Sequence, residues 1–312
     1  MNLSPRIHIL LSTYNGEKYL IDQLMSIFRQ TCQNFTLYIR DDGSTDATLD
    51  VLSAFMKNHP QYCPQIKLLP NPTRKNLGYM ESFWTLLEKS GGADYYAFCD
   101  QDDIWLPEKL QSGVTFLEEG DSAAPLLYFS NYNYHDQDMN YLHPAPAVKL
   151  PIEFKDVLFY TPAFGFSIMI NETLRQAALA ISDKTRLPHD GWIQKLAASN
   201  GQIMYDETCT ALYRRHGTAV TAGNRDILSA VKNWISNEIF GNEMKNTHYV
   251  LKRFYQEYGS VLKPGDQKLL ALFAAYRHSP VIWWKRLTCP VRFRPALGGE
   301  IALRICFFLC RY

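Results

Sequence analysis

Charge of one sign is the first thing this sequence lacks: 32 Lys and Arg stand against 31 Asp and Glu, a formal balance of +1 over 312 residues. A general nucleic-acid binder carries a strongly basic surface, so that class is excluded. Long hydrophobic runs are also missing. The most apolar stretch of the tail, 305–310, falls far short of the ~18 residues of a spanning helix. No secretory leader precedes the first strand-like run, which together with the cysteine usage gives the expectation of an intracellular protein. The seven cysteines (32, 63, 99, 209, 289, 306, 310) contain no CxxC pair, excluding a zinc ribbon and a thioredoxin-type motif. Neither GxGxxG nor GxxxxGK[ST] occurs, so dinucleotide and P-loop schemes lack support. Repeats and low-complexity tracts are absent. What remains, at 46% hydrophobic and 20% charged, is an ordinary globular chain long enough for one large domain or two modest ones.

The near-zero balance is a sum of unlike parts. Residues 1–150 carry 18 acidic and 11 basic groups, a net of −7, whereas 277–312 carry one and seven, a net of +6. Short apolar runs at 7–11, 35–39, 66–69 and 95–99 read as buried strands of a mainly parallel sheet. Helical spacing lies between them at 17–30, 46–58 and 78–89, with Ser44-Thr45-Asp46 as a cap for the second helix. This alternation predicts an α/β layered domain. Further strand-like pieces follow at 126–129, 165–170, 202–205 and 210–214, then a helical pattern over 226–277.

The acidic residues are not scattered. Asp41-Asp42 follow the second strand and Asp100-Gln101-Asp102-Asp103 follow the fourth, placing both clusters at carboxyl ends of strands, where open α/β sheets bind ligands. Taken singly, each is explained as well by a solvated turn or a helix cap, such as Asp103 before Ile-Trp-Leu-Pro. Together they form a set of hard oxygen donors that selects Mg²⁺ or Mn²⁺, which in turn attracts a diphosphate. The loop after the first strand, Ser12-Thr13-Tyr14-Asn15-Gly16-Glu17, has no cation to hold a triphosphate, which disfavours a nucleotidyltransferase.

Three segments, Leu11-Ser12-Thr13-Tyr14-Asn15-Gly16-Glu17, Arg40-Asp41-Asp42-Gly43-Ser44-Thr45-Asp46 and Phe98-Cys99-Asp100-Gln101-Asp102-Asp103, resemble in order and spacing a family 2 glycosyltransferase of the GT-A fold. The resemblance covers roughly residues 6–217. It implies a mixed, mainly parallel sheet flanked by helices, a nucleotide-sugar donor, a divalent metal (Mn²⁺ or Mg²⁺) and inversion at the anomeric carbon. On the family pattern Thr13, Tyr14, Glu17 and Asp42 hold base and ribose, Asp100 contacts ribose or metal with Gln101 beside it, and Asp102 is the main metal ligand. Carboxylates such as Glu17 and Asp42 suit this, since each accepts hydrogen bonds from ribose hydroxyls or a base N–H. Arg74-Lys75-Asn76-Leu77-Gly78 also resembles the family, with Lys75 approaching the nucleotide. An ordinary cationic loop before a helix explains it about as well.

Inverting transfer needs a carboxylate to take the acceptor hydroxyl's proton. The matching position in Pro188-His189-Asp190-Gly191-Trp192 is Asp190, with His189 where the family usually has Glu; a helix cap is the plainer alternative. In Tyr213-Arg214-Arg215-His216-Gly217 the resemblance implies that His216 reaches the metal or diphosphate. Gly165, Asp103, Arg214 and Arg215 are assigned to the acceptor or phosphate side. The expected organisation is a catalytic domain over 1–220, with nucleotide-binding half 1–130 and acceptor half 131–220, and a helical extension over 221–312.

The extension's tail combines Arg277, Lys285, Arg286, Arg292, Arg294, Arg304 and Arg311 with Trp283, Trp284, Phe307 and Phe308, a mixture suited to an anionic membrane surface. Packing of the tryptophans on the rest of the protein is the alternative. The expectation is therefore a cytoplasmic enzyme, peripheral on the inner face of the membrane. It would move a sugar from a nucleotide-sugar donor to a lipid-linked oligosaccharide of a bacterial surface polysaccharide such as O-antigen or capsule. Asp-Gln-Asp-Asp-Ile-Trp-Leu-Pro resembles rhamnosyltransferase-like members, making dTDP-L-rhamnose the first donor and a UDP-hexose or UDP-N-acetylhexosamine the alternative. A sugar-nucleotide-binding subunit that has lost catalysis is the non-enzymatic rival.

Overall fold

The computed structural model describes residues 4–217, 236–237, 241–274 and 279–311. The chain divides into two compact units: one of 1–147, 163–197 and 201–217, the other of 148–162, 198–200 and 218–312. Arg277 and the helical expectation over 226–235 lie outside the described residues.

The first unit is built on nine strands: β1 (Ile7–Thr13), β2 (Phe35–Asp41), β3 (Ile66–Leu68), β4 (Tyr95–Cys99), β5 (Ile104–Trp105), β6 (Leu126–His135), β7 (Tyr141–Pro144), β8 (Ile168–Asn171) and β9 (Gln202–Arg214). They form one sheet in the order β3-β2-β1-β4-β8-β6-β9-β5, with β7 on β6. The β3-β2-β1-β4 half is parallel, β8 is antiparallel to both neighbours, and β6 and β9 run parallel. β1 is a run of buried apolar side chains because helices cover both faces of the parallel half. The helices are α1 (Leu20–Phe28), α2 (Thr48–Asn58), α3 (Tyr79–Lys89), α4 (Lys109–Glu118), α5 (Glu172–Leu179) and α6 (His189–Asn200). In α1 the buried Leu20, Leu24, Ile27 and Phe28 recur at helical spacing and form one core-facing stripe.

α6 is different. Trp192, Ile193, Leu196 and Ala197 are buried, and so are Gln194, Lys195 and Ser199. From 191 to 199 the helix therefore has no exposed face, as a buried helix requires. The Gln194 amide fastens it to the neighbouring chain, accepting from the Ala163 N–H (3.0 Å) and donating to the Ala163 carbonyl (2.8 Å).

Three local expectations differ from the structure. α2 begins at Thr48 with Ala47 as cap residue, although Asp46 Oδ1 does accept the Thr48 N–H (3.0 Å). Asp103 precedes a strand rather than a helix. Asp190 lies in the first turn of α6, with Pro188 as cap residue, so it is not the cap.

The second unit is helical: α7 (Glu243–Tyr258), α8 (Pro264–Ala274), α9 (Pro280–Leu287) and α10 (Leu297–Phe308). Its core is a ring cluster in which Phe159 lies 5.0 Å from Phe273, 4.9 Å from Phe293 and 5.4 Å from Phe307.

Candidate active site

Parallel pairing levels the strand ends. Thr13 is in register with Asp41 and Leu11 with Cys99, so the loops after β1, β2 and β4 share one edge of the sheet. The first and third of these loops are latched. The Tyr14 N–H donates to Gln101 Oε1 (2.9 Å), and Gln101 Nε2 donates back to the Tyr14 carbonyl (2.8 Å). Gly16 leaves room for this latch, because a Cβ at that position would lie 2.1 Å from Gln101 Oε1 and push the amide aside. The Tyr14 ring itself is exposed.

The second loop is held by its own acids. Asp41 accepts from Thr13 Oγ1 (3.1 Å) and from the Gly43 and Ser44 N–H groups (3.1 and 2.9 Å). Asp42 is buried, paired with the buried Arg40, and accepts the Leu77 and Gly78 N–H groups (2.9 and 2.8 Å) at the start of α3. Glu17 Oε2 accepts the Ala47 N–H (2.8 Å). Thr13, Glu17 and Asp42 thus organise the loops, and Asp42 faces the interior. The exposed Lys75 sits on the segment lying over Gly43, whose φ is +83°; a Cβ there would meet the Arg74 carbonyl oxygen at 2.4 Å.

Beyond β4 three carboxylates converge. Burial pushes the Asp100 carboxyl up to about 7, helped by the charges of Asp102 and Asp190. Asp190, from α6, is near enough to Asp100 for its charge to act there. Its Oδ1 accepts the Gly191 N–H (2.7 Å), while no donor reaches Oδ2 among the described residues. Asp103 is fully buried. Its Oδ1 accepts the Arg214 N–H (3.0 Å), Oδ2 has no partner among the described residues, and burial followed by Asp102 and Asp100 drives its carboxyl well above the usual range.

The antiparallel β5–β9 pairing, Ile104 opposite Leu212, carries the end of β9 back to this cluster. His216 Nε2 lies 2.8 Å from Asp102 Oδ2, and its ring is 4.8 Å from that of Tyr19. Arg214 is a buried clamp. It donates to the carbonyls of Asp102 (2.9 Å) and Gln137 (3.0 Å) and to Asp22 Oδ2 (2.8 Å), with its guanidinium 4.5 Å from the Tyr19 ring centroid. The guanidinium of the neighbouring Arg215 stands 5.4 Å from the Tyr134 ring centroid.

The profile of glycosyl transferase family 2 matches residues 8–215, two thirds of the chain, and spans all of these loops. The chain is a family 2 glycosyltransferase. It is similar to the dTDP-rhamnosyl transferase RfbG of Shigella flexneri, 29% identical over 220 residues covering 66% of this chain and 71% of that protein. Two further relatives, 34–35% identical, match over only 37–41% of their own length. Among solved structures, S. aureus TarS 1-349 in complex with UDP-GlcNAc superposes with a TM-score of 0.54 at 14% identity, covering 98% of this chain and 90% of that one. Mannosyltransferase PcManGT from Pyrobaculum calidifontis in complex with GDP-Man and Mn2+ gives 0.53 at 15% identity, covering 100% and 89%. The fold is GT-A.

His189 is the residue expected from the resemblance to stand where the family usually has Glu. Its ring is buried between Phe83 and Phe98 (centroids 4.4 and 5.0 Å), both nitrogens lack hydrogen-bond partners among the described residues, and burial lowers its pKa. A neutral imidazole fits this apolar slot, where a carboxylate would be an uncompensated charge. Gly165 makes room for it, since a Cβ there would lie 3.0 Å from His189 Nε2. Sequence reasoning missed Arg40, Tyr19, Asp22 and Lys195. The i, i+3 spacing of Tyr19 and Asp22 was the only hint that both face one neighbour. Lys195 is buried in α6, bonded to the Gly191 carbonyl (3.2 Å), and burial pulls its ammonium down to about 8 against the opposing pull of Asp190.

Among the described residues no group of three or more His, Cys, Asp or Glu is arranged as a complete metal site. The donor set nonetheless fits a hard divalent cation. Asp102 and His216, 2.8 Å apart, would be the two side chains to hold it, and a cation would relieve the crowding that raises Asp100. Mg²⁺-type sites commonly complete their coordination with substrate phosphates and water.

Proposed function

We propose that this glycosyltransferase is metal-dependent and inverting, with residues 1–220 as catalytic domain and 221–312 as helical extension. What supports the reading is that the charges of Asp190 from α6 and of Asp102 both act on the buried Asp100 after β4, while Asp102 meets His216 after β9. Asp102 and His216 would hold Mn²⁺ or Mg²⁺, which supplies Lewis-acid neutralisation of the departing diphosphate. Asp100 and the latched loops of Tyr14 and Gln101 line the donor side, and Arg215 and Lys75 are the cations on hand for phosphate.

Asp190 Oδ2 takes the proton of the acceptor hydroxyl. As that oxygen bonds to the anomeric carbon from the face opposite the nucleotide, the bond from this carbon to the phosphate oxygen breaks. The nucleoside diphosphate leaves with the electron pair, so the configuration inverts. Rigid enclosure of α6 keeps the base in position, as near-attack geometry requires.

The similarity to RfbG supports dTDP-L-rhamnose as donor. The fold does not choose, since the structural neighbours hold UDP-GlcNAc and GDP-Man. A lipid-linked oligosaccharide acceptor and peripheral attachment to an anionic membrane complete the proposal; no helix among the described residues is long and apolar enough to cross a membrane. The test is a screen of dTDP- and UDP-sugars with Mn²⁺, reading release of the nucleoside diphosphate. Turnover of dTDP-L-rhamnose that is lost with EDTA and in Asp102→Ala is expected. Metal-independent turnover, or full activity in Asp102→Ala, overturns the metal assignment, and preference for a UDP-sugar overturns the donor.

A further inference from the structure

The helical unit ends in two packed helices whose outer side is apolar. On α10, Leu297, Ile301, Ile305 and Phe308 recur at helical spacing as a single stripe, and they are 65%, 52%, 39% and 59% exposed. On α9, Val281 and Trp284 are 61% and 59% exposed. Trp283 joins the two helices, its ring 6.0 Å from that of Phe308 and its indole N–H donating to the Phe308 carbonyl (3.3 Å).

Four arginines of the segment, Arg286, Arg292, Arg294 and Arg304, are otherwise engaged. Arg286 donates to the Leu272 carbonyl (2.9 Å), Arg292 to the Arg294 carbonyl (2.9 Å), and Arg294 to the Phe159 carbonyl (3.3 Å). Arg304 donates to the Leu287 carbonyl (3.1 Å) and pairs with Glu300 (2.7 Å). Carbonyls are neutral, so these bonds leave the charge standing. Residues 277–312 keep their net +6, with Glu300 as the one acid.

We propose that the α10 stripe, with Val281 and Trp284, is the face that inserts into the headgroup region of an anionic phospholipid bilayer, while the arginines brace the tail and supply only a diffuse attraction. This rests on the membrane reading above and goes further by naming the contact and its driving force. Large apolar side chains beside a tryptophan suit the water–lipid boundary. The charge decides the occupant: a second copy meeting the same face would set +6 against +6, whereas anionic lipid complements it.

The test is vesicle co-sedimentation of the full chain, using phosphatidylcholine with and without phosphatidylglycerol, at low and high KCl. Trp284→Ser/Phe308→Ser and Ile301→Ser/Ile305→Ser are compared with Lys285→Gln, and circular dichroism and nucleotide-sugar turnover report folding. Each double variant is expected to bind phosphatidylglycerol vesicles at least about tenfold more weakly with folding unchanged. Lys285→Gln changes binding little, and part of the wild-type binding survives high KCl. If the wild type binds and the double variants match it, or if high KCl removes all binding, the stripe is overturned and the membrane reading stands. If the wild type binds no vesicle, both fall. A wild-type dimer in sedimentation equilibrium that the double variants lose makes the occupant a second copy and overturns the proposal.

Discussion

Arg40→Met probes the buried pair that ties three elements beneath the donor loops. Arg40 and Asp42 are 3% and 2% exposed. Besides Asp42, Arg40 Nη1 donates to Ser82 Oγ on α3 (3.0 Å), and Ser82 Oγ lies 2.7 Å from Ser12 Oγ on β1. Removing one partner of a buried ion pair leaves the other charge uncompensated, which costs about 3–5 kcal/mol. Here Asp42 keeps the Leu77 and Gly78 N–H groups, so the lower end, about 3 kcal/mol, is expected. With a urea slope of about 3 kcal/mol/M, the midpoint falls by roughly 1 M. The assay is urea unfolding followed by tryptophan fluorescence, with Trp84 in α3 as an internal reporter. Adding Asp42→Asn removes the stranded charge, so the double variant should lose at least about 1 kcal/mol less than the sum of the singles. Because Asp42 also positions the segment that carries Lys75, the donor KM should rise in the single variant. A loss below about 1 kcal/mol, or strict additivity, refutes the network.

Asp190→Asn should lower transfer by about 10²–10⁴-fold while donor affinity, measured by calorimetry, stays within a few-fold; parallel loss of both removes the base assignment. Gly165→Ala pushes on the His189 imidazole from 3.0 Å and should reduce kcat several-fold with little change in urea midpoint, whereas an unchanged kcat separates His189 from Asp190 positioning. His8 is buried between Tyr38 and Tyr96, and burial, with Arg6 and Arg175, lowers its pKa to about 4. The unfolded chain therefore binds the extra proton first. Stability is full above about pH 6.5, falls as pH drops towards 4 and then levels, by at most roughly 3 kcal/mol. His8→Phe should flatten that slope between pH 7.5 and 5, and an unchanged slope places the acid sensitivity elsewhere.

Much of the fold was legible in the sequence because its parallel strands are buried on both faces. The runs at 7–11, 35–39 and 95–99 need no partner to be recognised as interior. Helix starts were less legible: Asp46 and Asp190 both look like caps, yet caps are chosen by backbone geometry several residues long. The acids after β2 and β4 stood out because strand ends were legible. Their separate fates were not. Asp42 turns inward to Arg40 and to the Leu77 and Gly78 N–H groups, Asp100 crowds against Asp190, and the start of α3 and Asp190 are more than thirty residues away in the chain.

The sequence by itself determined the layered α/β class, the positions of the acid-bearing loops and the family, since these depend on local periodicity and short motifs. Only the tertiary structure decided that His216 meets Asp102, that Arg214 clamps loops instead of facing solvent, and that the basic tail exposes its apolar residues while its arginines bind carbonyls. Each of these is a choice of partner for a polar group. A buried or half-buried polar group must find a partner somewhere, and which one it finds is settled by β9 returning beside β5 and by α9 packing on α10, which no local pattern encodes.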